Sequence, residues 1–156
     1  MKKLLAGAVL GVATLSVATV SLAQMKTEDA IKFRQAGYAF MSWNMGKIKA
    51  QVVDGAVPYN KDQIVAAANV IAAVANSGMG ALYPAGSDKG SGFHETKVKP
   101  EFFQNMPEVG KLAGNFNTAA NELAAAAATG DQGAIKAAFG KVGESCKACH
   151  DQFRAK

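Results

Sequence analysis

The sequence predicts an all-α protein folded as an antiparallel up-down-up-down four-helix bundle, and three observations carry that prediction. Apolar residues recur every three or four positions in four separate stretches, the period of a helix with one buried face. Alanine is abundant and aromatic residues make up only 8% of 156 residues, which favours closely packed helices over a β-sandwich. The first and second stretches, and the third and fourth, are joined by short connections rich in turn signals, so each pair should run antiparallel. The length suits one domain and is short for two cores.

Residues 1–23 stand apart from the bundle. Lys2 and Lys3 precede an apolar run from Leu4 to Val20, and Ser21-Leu22-Ala23 places small residues at −3 and −1 before Gln24. This is the pattern of a secretory signal peptide, and it leaves residues 24–156 as the folded domain. The run borders on membrane-spanning length, so a retained anchor is the competing reading; the well-formed cut site and the lack of stop-transfer charges behind it favour cleavage and a mature chain without a membrane anchor. Formal net charge is +5. Without Lys2 and Lys3 the balance is 15 basic against 12 acidic side chains, or +3. So mild a charge, with no basic stripe or interleaved aromatic run, gives no support to nucleic-acid binding.

The first helix is expected to begin after Thr27 as N-cap, with Glu28 and Asp29 complementing the helix dipole, and to run to about Val53. Ile31, Tyr38, Met41 and Met45 fall at helical spacing, with Arg34 interrupting the stripe. Asp54-Gly55-Ala56-Val57-Pro58 is a turn. Asn60 caps the second helix, with Gln63 as its capping-box partner, and Ile64, Ala67, Ala68, Ile71, Val74 and Ala75 form its buried face. Ser77-Gly78 ends it. Residues 78–99 form a long glycine-rich connection, a length usually tied to function or disorder. Pro100 opens a short turn through Phe103, and Pro107 suits the first turn of the third long helix. There Val109, Leu112, Ala113, Phe116, Ala120, Leu123 and Ala127 mark the core face. Thr129-Gly130-Asp131 closes that helix and caps the fourth. The fourth carries Ile135, Phe139, Val142, Cys146, Cys149, His150 and Phe153 on broadly one side.

That last stripe runs into Cys146-Lys147-Ala148-Cys149-His150, and Cys-x-x-Cys-His is the attachment signature of a c-type haem. Two thiols must reach two vinyl groups on one porphyrin edge, and an imidazole must rise to the iron from the same side. Positions i, i+3 and i+4 share a helix face, so Cys146, Cys149 and His150 can address one macrocycle, with His150 as axial iron ligand. A thioredoxin-like motif would sit near a βαβ pattern, and no strand pattern is present. Structural zinc needs four ligands, with His94 the one plausible fourth. A disulfide across three helical residues is geometrically poor. The sequence holds two cysteines in all, which leaves none for a disulfide framework. Bacterial haem c is attached outside the cytoplasm, so motif and signal segment agree on the periplasm. Gly140 and Gly143, before the cysteines, are either tolerated surface glycines or places of close backbone approach to a flat macrocycle.

Taken together, the signal segment, the alanine-rich bundle and a C-terminal Cys-x-x-Cys-His resemble the cytochrome c′ family, since most small c-type cytochromes carry the motif near the N-terminus. The resemblance extends to residues 28–35 (Glu-Asp-Ala-Ile-Lys-Phe-Arg-Gln), to the Val57-Pro58-Tyr59 turn, and to residues 137–151 around the motif. It spans the mature chain, with 78–99 matching loosely. It implies one covalent haem c that is high-spin and five-coordinate, with His150 proximal and no protein ligand opposite. It implies that Tyr38, one turn beyond Arg34, covers the free iron face; the plainer reading is a core tyrosine whose hydroxyl needs a partner. It places Arg34 and Gln35 near the haem propionates, where a guanidinium fork suits a carboxylate, against a solvated helix face. Glu95 resembles a haem-edge contact. Arg154 would flank the proximal pocket, against a frayed terminus.

Low-spin relatives place a methionine of the first helix on the iron, which makes Met41 and Met45 the alternative ligands and Met79, Met106 and His94 outsiders. Arg34 occupies the position where that methionine is expected, which favours five coordination. The resemblance thus implies a periplasmic haem protein that accepts nitric oxide and carbon monoxide and exchanges electrons with periplasmic redox partners. The alternative is a low-spin electron carrier. No distal His/Arg pair argues for peroxidase-type catalysis, so no enzyme is expected. A homodimer through the first two helices is implied as well, with Met41, Met45, Val52 and Val53 as surplus apolar residues.

Overall fold

The computed structural model describes residues 25–156; the expected signal segment, 1–23, lies outside them. The helices in chain order are α1 (Thr27–Ile48), α2 (Lys61–Ala75), the single turn α3 (Glu101–Gln104), α4 (Met106–Thr129) and α5 (Gln132–Phe153). The four long ones form the bundle, with α1 against α2, α2 against α4, and α4 against α5. Among the described residues, β pairing is limited to two isolated bridges.

Capping chemistry sets most of the boundaries. Asn60 Oδ1 accepts from Gln63 N at 3.0 Å, as expected. The return half of the capping box is relayed, however: buried Gln51 donates to Gln63 Oε1 at 2.9 Å and accepts from Asn60 N at 2.8 Å. Gln51 lies in a π-helical turn, Lys49–Val53, that continues α1, which is why the first helix reaches Val53 without staying α throughout. Asp131 Oδ1 accepts from Gly133 N and Ala134 N at 2.8 and 3.1 Å and starts α5. Gly130, at φ +81°, supplies the left-handed residue that ends α4. The start of α1 differs from expectation. Lys26 is the flanking residue, Thr27 is already helical, and no side chain caps the end. Glu28 and Asp29 are left to answer the orphan amides through charge.

Two apolar clusters result. The larger one joins Ile48 of α1, Ile64, Ala67, Ala68 and Ile71 of α2, Ala120, Leu123 and Ala127 of α4, and Ile135 and Val142 of α5. Alanine at so many contact positions lets the helices approach closely. The smaller cluster gathers Phe102, Leu112 and Phe153, with Tyr83, Val98 and Phe103 packed on it. One residue of the expected α4 face is misplaced: Ala113 is exposed and Ala119 is buried instead. Gly140 and Gly143 are exposed, and a Cβ at either would meet no chain atom within 4 Å. The polypeptide itself therefore does not require glycine there.

The substantial contact between α1 and the last helix is confined to residues 49–53. The N-terminal half of α1 is instead bonded to the connection 78–99 through Arg34 and Gln35.

Candidate functional site

The connection 78–99 is ordered by α1, and Arg34 is the reason. Arg34 is 3% exposed. Nη1 donates to Leu82 O at 3.1 Å and to Ser87 Oγ at 2.7 Å; Nη2 donates to Ser87 O at 2.5 Å and Thr96 Oγ1 at 2.8 Å. A second clasp is Gln35. Its Oε1 accepts from Phe93 N at 2.8 Å and its Nε2 donates to His94 O at 2.9 Å, so one amide mimics a strand edge. Gly92 permits that approach: a Cβ there would lie 2.7 Å from Lys32 N and 2.8 Å from Lys32 Cα. Arg34 is therefore not on a solvated face, while Gln35 is half-buried and makes its bonds at the surface. Both terminal nitrogens of Arg34 are engaged by the loop, so fastening it is the job this geometry displays.

Tyr83, in the same connection, was not singled out by the sequence, because a lone aromatic between glycines and a proline carries no periodic signal. Its ring lies beneath the Arg34 guanidinium, 4.5 Å from Cζ to centroid, and stacks on Phe102 at 4.6 Å and 20°. Its hydroxyl donates to Tyr38 Oη at 3.2 Å. Tyr38 is thereby held by its hydroxyl, with 42% of its surface exposed, so it is no ordinary core tyrosine. Burial raises the Tyr38 phenol pKa, the Tyr83 hydrogen bond opposes this, and the neighbouring Cys149 and Cys146 sulfurs raise it further. The phenol of α1 and the thiols of α5 therefore share one locale, contributed from opposite ends of the chain. Tyr83 is also held well above the usual phenol range by burial, with Tyr38 adding to it.

On α5 the two thiols are free and half-buried. Cys146 packs on the larger cluster and Cys149 on the smaller, so the motif straddles their junction. Burial pushes both thiols up. Burial lowers the His150 pKa, and the nearby Arg154 charge lowers it further. The terminus is not frayed. Lys99 N donates to Phe153 O at 2.9 Å and Ala155 N to Lys97 O at 2.8 Å, and a bridge joins Val98 to Arg154. Glu95 is exposed and bridged through its backbone to Ser91. His94 is turned toward Gln35 and Glu95 O, at 3.1 Å from each, and not toward the cysteines.

The methionines divide similarly. Met41 is 5% exposed and Met45 packs on the larger cluster, while Met79 closes over Gly37. Met45 and Val52 serve the core, and Val53 is half-buried, which corrects the expectation that these supply surplus surface. The large apolar side chains that α1 leaves exposed are Phe33, Tyr38, Phe40 and Trp43.

This set of donors fits haem c. Two sulfurs and an imidazole lie on one helix face at an apolar junction, with the phenol groups of Tyr38 and Tyr83 in the same locale. Comparison with known proteins agrees. The sequence model of the cytochrome c′ family matches residues 29–154. The chain belongs to the cytochrome c′ family. Cytochrome c′ of Allochromatium vinosum is 56% identical over 157 residues, all of both chains. The crystal structure of cytochrome c′ from Thermochromatium tepidum is 60% identical and superposes with a TM-score of 0.80, covering 86% of this chain and all of that one. A cytochrome c′ structure described as having an unusual ligand-controlled dimer dissociation is also 60% identical, at a TM-score of 0.81 and the same coverage. As a member of this family the chain is a haem c cytochrome, its haem carried covalently by its two cysteines.

Proposed function

We propose that this cytochrome binds small diatomic gases, nitric oxide and carbon monoxide, at an iron face covered by Tyr38, with His150 as the iron ligand on the opposite side. The observation that carries the reading is the placement of the Tyr38 phenol beside Cys146 and Cys149 while its hydroxyl is engaged by Tyr83. A phenol whose oxygen already accepts the Tyr83 hydrogen bond is a cover and a poor iron ligand. Bound haem supplies a five-coordinate iron centre able to take one neutral diatomic molecule. The protein's part is selection by access. Tyr38 must swing aside, Gln35 and Glu95 line the loop-side rim, Arg34 secures the loop that forms it, and Arg154 flanks the proximal imidazole. The low-spin alternative needs Met41 or Met45 on the iron, and both are committed to packing.

The mature chain is residues 24–156, in the periplasm after removal of 1–23; among the described residues no helix is long and apolar enough to cross a membrane. Electron exchange with periplasmic redox partners accompanies gas binding, with no catalytic turnover. The homodimer forms through the outer stripe of α1, where Phe40 stacks on Trp43 at 5.6 Å and Lys47 caps the indole at 3.9 Å. The 60% identical relative described as having a ligand-controlled dimer dissociation supports a homodimer.

The test is stopped-flow carbon monoxide binding to the reduced holoprotein. Tyr38→Ala should raise the association rate by at least tenfold; an unchanged rate refutes the covering role. Sharp low-spin α and β bands in the reduced spectrum would instead establish the methionine-ligated carrier.

A further inference from the structure

We propose that Tyr83 is a positioning residue that latches Tyr38 in its covering orientation, so that access to the iron is set by the 78–99 connection as well as by α1. The inference rests on the gas-binding reading above and assigns its control to a residue outside the motif and outside α1.

The latch has three parts, and each follows from a contact in the structure. The hydroxyl of Tyr83 donates to Tyr38 Oη at 3.2 Å, so any outward rotation of the Tyr38 ring breaks this bond. Tyr83 cannot follow that rotation. Its ring is held on one face by the Arg34 guanidinium at 4.5 Å and on another by Phe102 at 4.6 Å, nearly parallel. A cation over a ring and a stacked aromatic pair each add attraction beyond simple burial. The guanidinium is itself immobile, because its four hydrogen bonds reach Leu82, Ser87 and Thr96 on both sides of the connection. Phe102 is 7% exposed within the smaller cluster. Tyr38 is thus a movable ring tethered to a fixed one.

Tyr38 is also the partner with freedom to move. It is 42% exposed, whereas Tyr83 is half-buried. The residue before it is Gly37, which carries no side chain to crowd the ring, and Met79 fills the space at Gly37 with a flexible end: a Cβ there would meet Met79 Cε at 3.0 Å. The path of the swing is therefore bounded by a pliable thioether on the loop side. A neutral hydrogen bond of this kind corresponds to a factor of about 5 in population, and the tether should slow gas entry by that factor.

The experiment uses the reduced holoprotein and carbon monoxide as probe. Tyr83→Phe removes the hydroxyl and keeps both stacking faces, so the fold is preserved. We expect association about 5-fold faster in Tyr83→Phe, about 5-fold faster in Tyr38→Phe, and no faster in the double variant than in either single one, since both remove the same bond. A crystal structure of Tyr83→Phe holoprotein should show Tyr38 in more than one rotamer, with the thermal midpoint near that of the parent. A structural role alone would lower the midpoint and leave the association rate unmoved, which would overturn the latch. Additive acceleration in the double variant would also overturn it. If Tyr38→Ala accelerates binding but Tyr83→Phe does not, the latch is refuted and the cover stands. If neither variant alters the rate, cover and latch fall together.

Discussion

Replacing Arg34 by methionine tests how the long connection is held. Methionine keeps the apolar stem packed and removes the fork. Four hydrogen bonds vanish, two of them wholly buried, and Ser87, at 0% exposure, keeps its carbonyl and hydroxyl without these donors. At about 1.5 kcal/mol for each buried charge-assisted bond and about half that for the other two, the gross loss is about 4–5 kcal/mol. The guanidinium no longer has to be desolvated, which offsets about 1–2 kcal/mol. A net loss of about 3 kcal/mol remains, about 10 °C in melting temperature for a domain of this size. Native stabilities run from about 5 to 15 kcal/mol, so the variant should still fold. Denaturant unfolding of the holoprotein followed by circular dichroism gives the total. Amide exchange locates it: the amides of Phe93 and Thr96, which bond to Gln35 and Gly90, should lose protection while the Leu123 amide in the larger core keeps it. A loss under about 1 kcal/mol, or one spread evenly over both amide groups, would refute the assignment of Arg34 as the fastener.

Three further outcomes are expected. Gly92→Ala forces a methyl into the Lys32 backbone and should destabilise the holoprotein by about 1–3 kcal/mol in urea unfolding, whereas Gly143→Ala, which meets nothing, should stabilise slightly through helix propensity. Asp131→Ala removes the acceptor of two amides at the start of α5 and should cost about 1 kcal/mol in the same assay. Trp43→Glu places a charge in the exposed aromatic stripe of α1; sedimentation velocity should show the dimer dissociating at micromolar concentration, and an unchanged sedimentation coefficient would locate the interface elsewhere.

Helix order, the caps at Asn60 and Asp131, and the thiol–imidazole motif were legible because each is a local pattern: a period, an Asx before an apolar run, a fixed spacing. The loop was not. Arg34 reads from sequence as a surface cation or a propionate partner, and only chain closure shows that residues 48 to 62 positions away bend back to surround it. Tyr83 was hidden for the same reason, its partners being Arg34, Tyr38 and Phe102. The surplus apolar face was misjudged because Met41 and Met45 outrank aromatics on period alone; the structure turns Met41 inward and leaves Phe40 and Trp43 outward. Ala113 and Ala119 exchanged places because alanine suits either face of a helix and its identity offers no contrast between them.

The pairing of residues 97–99 with 153–155 has a mechanical meaning. Tension applied beyond Lys156, by an appended tag or by a tether to a surface, would be carried in shear by these backbone bonds into the connection, and from there through Arg34 to the opposite helix. The turn bearing Cys149 and His150 is sheltered from that load. The polypeptide end that bears the thiol–imidazole motif is in this way strain-relieved, much as a cable is clamped ahead of its solder joint.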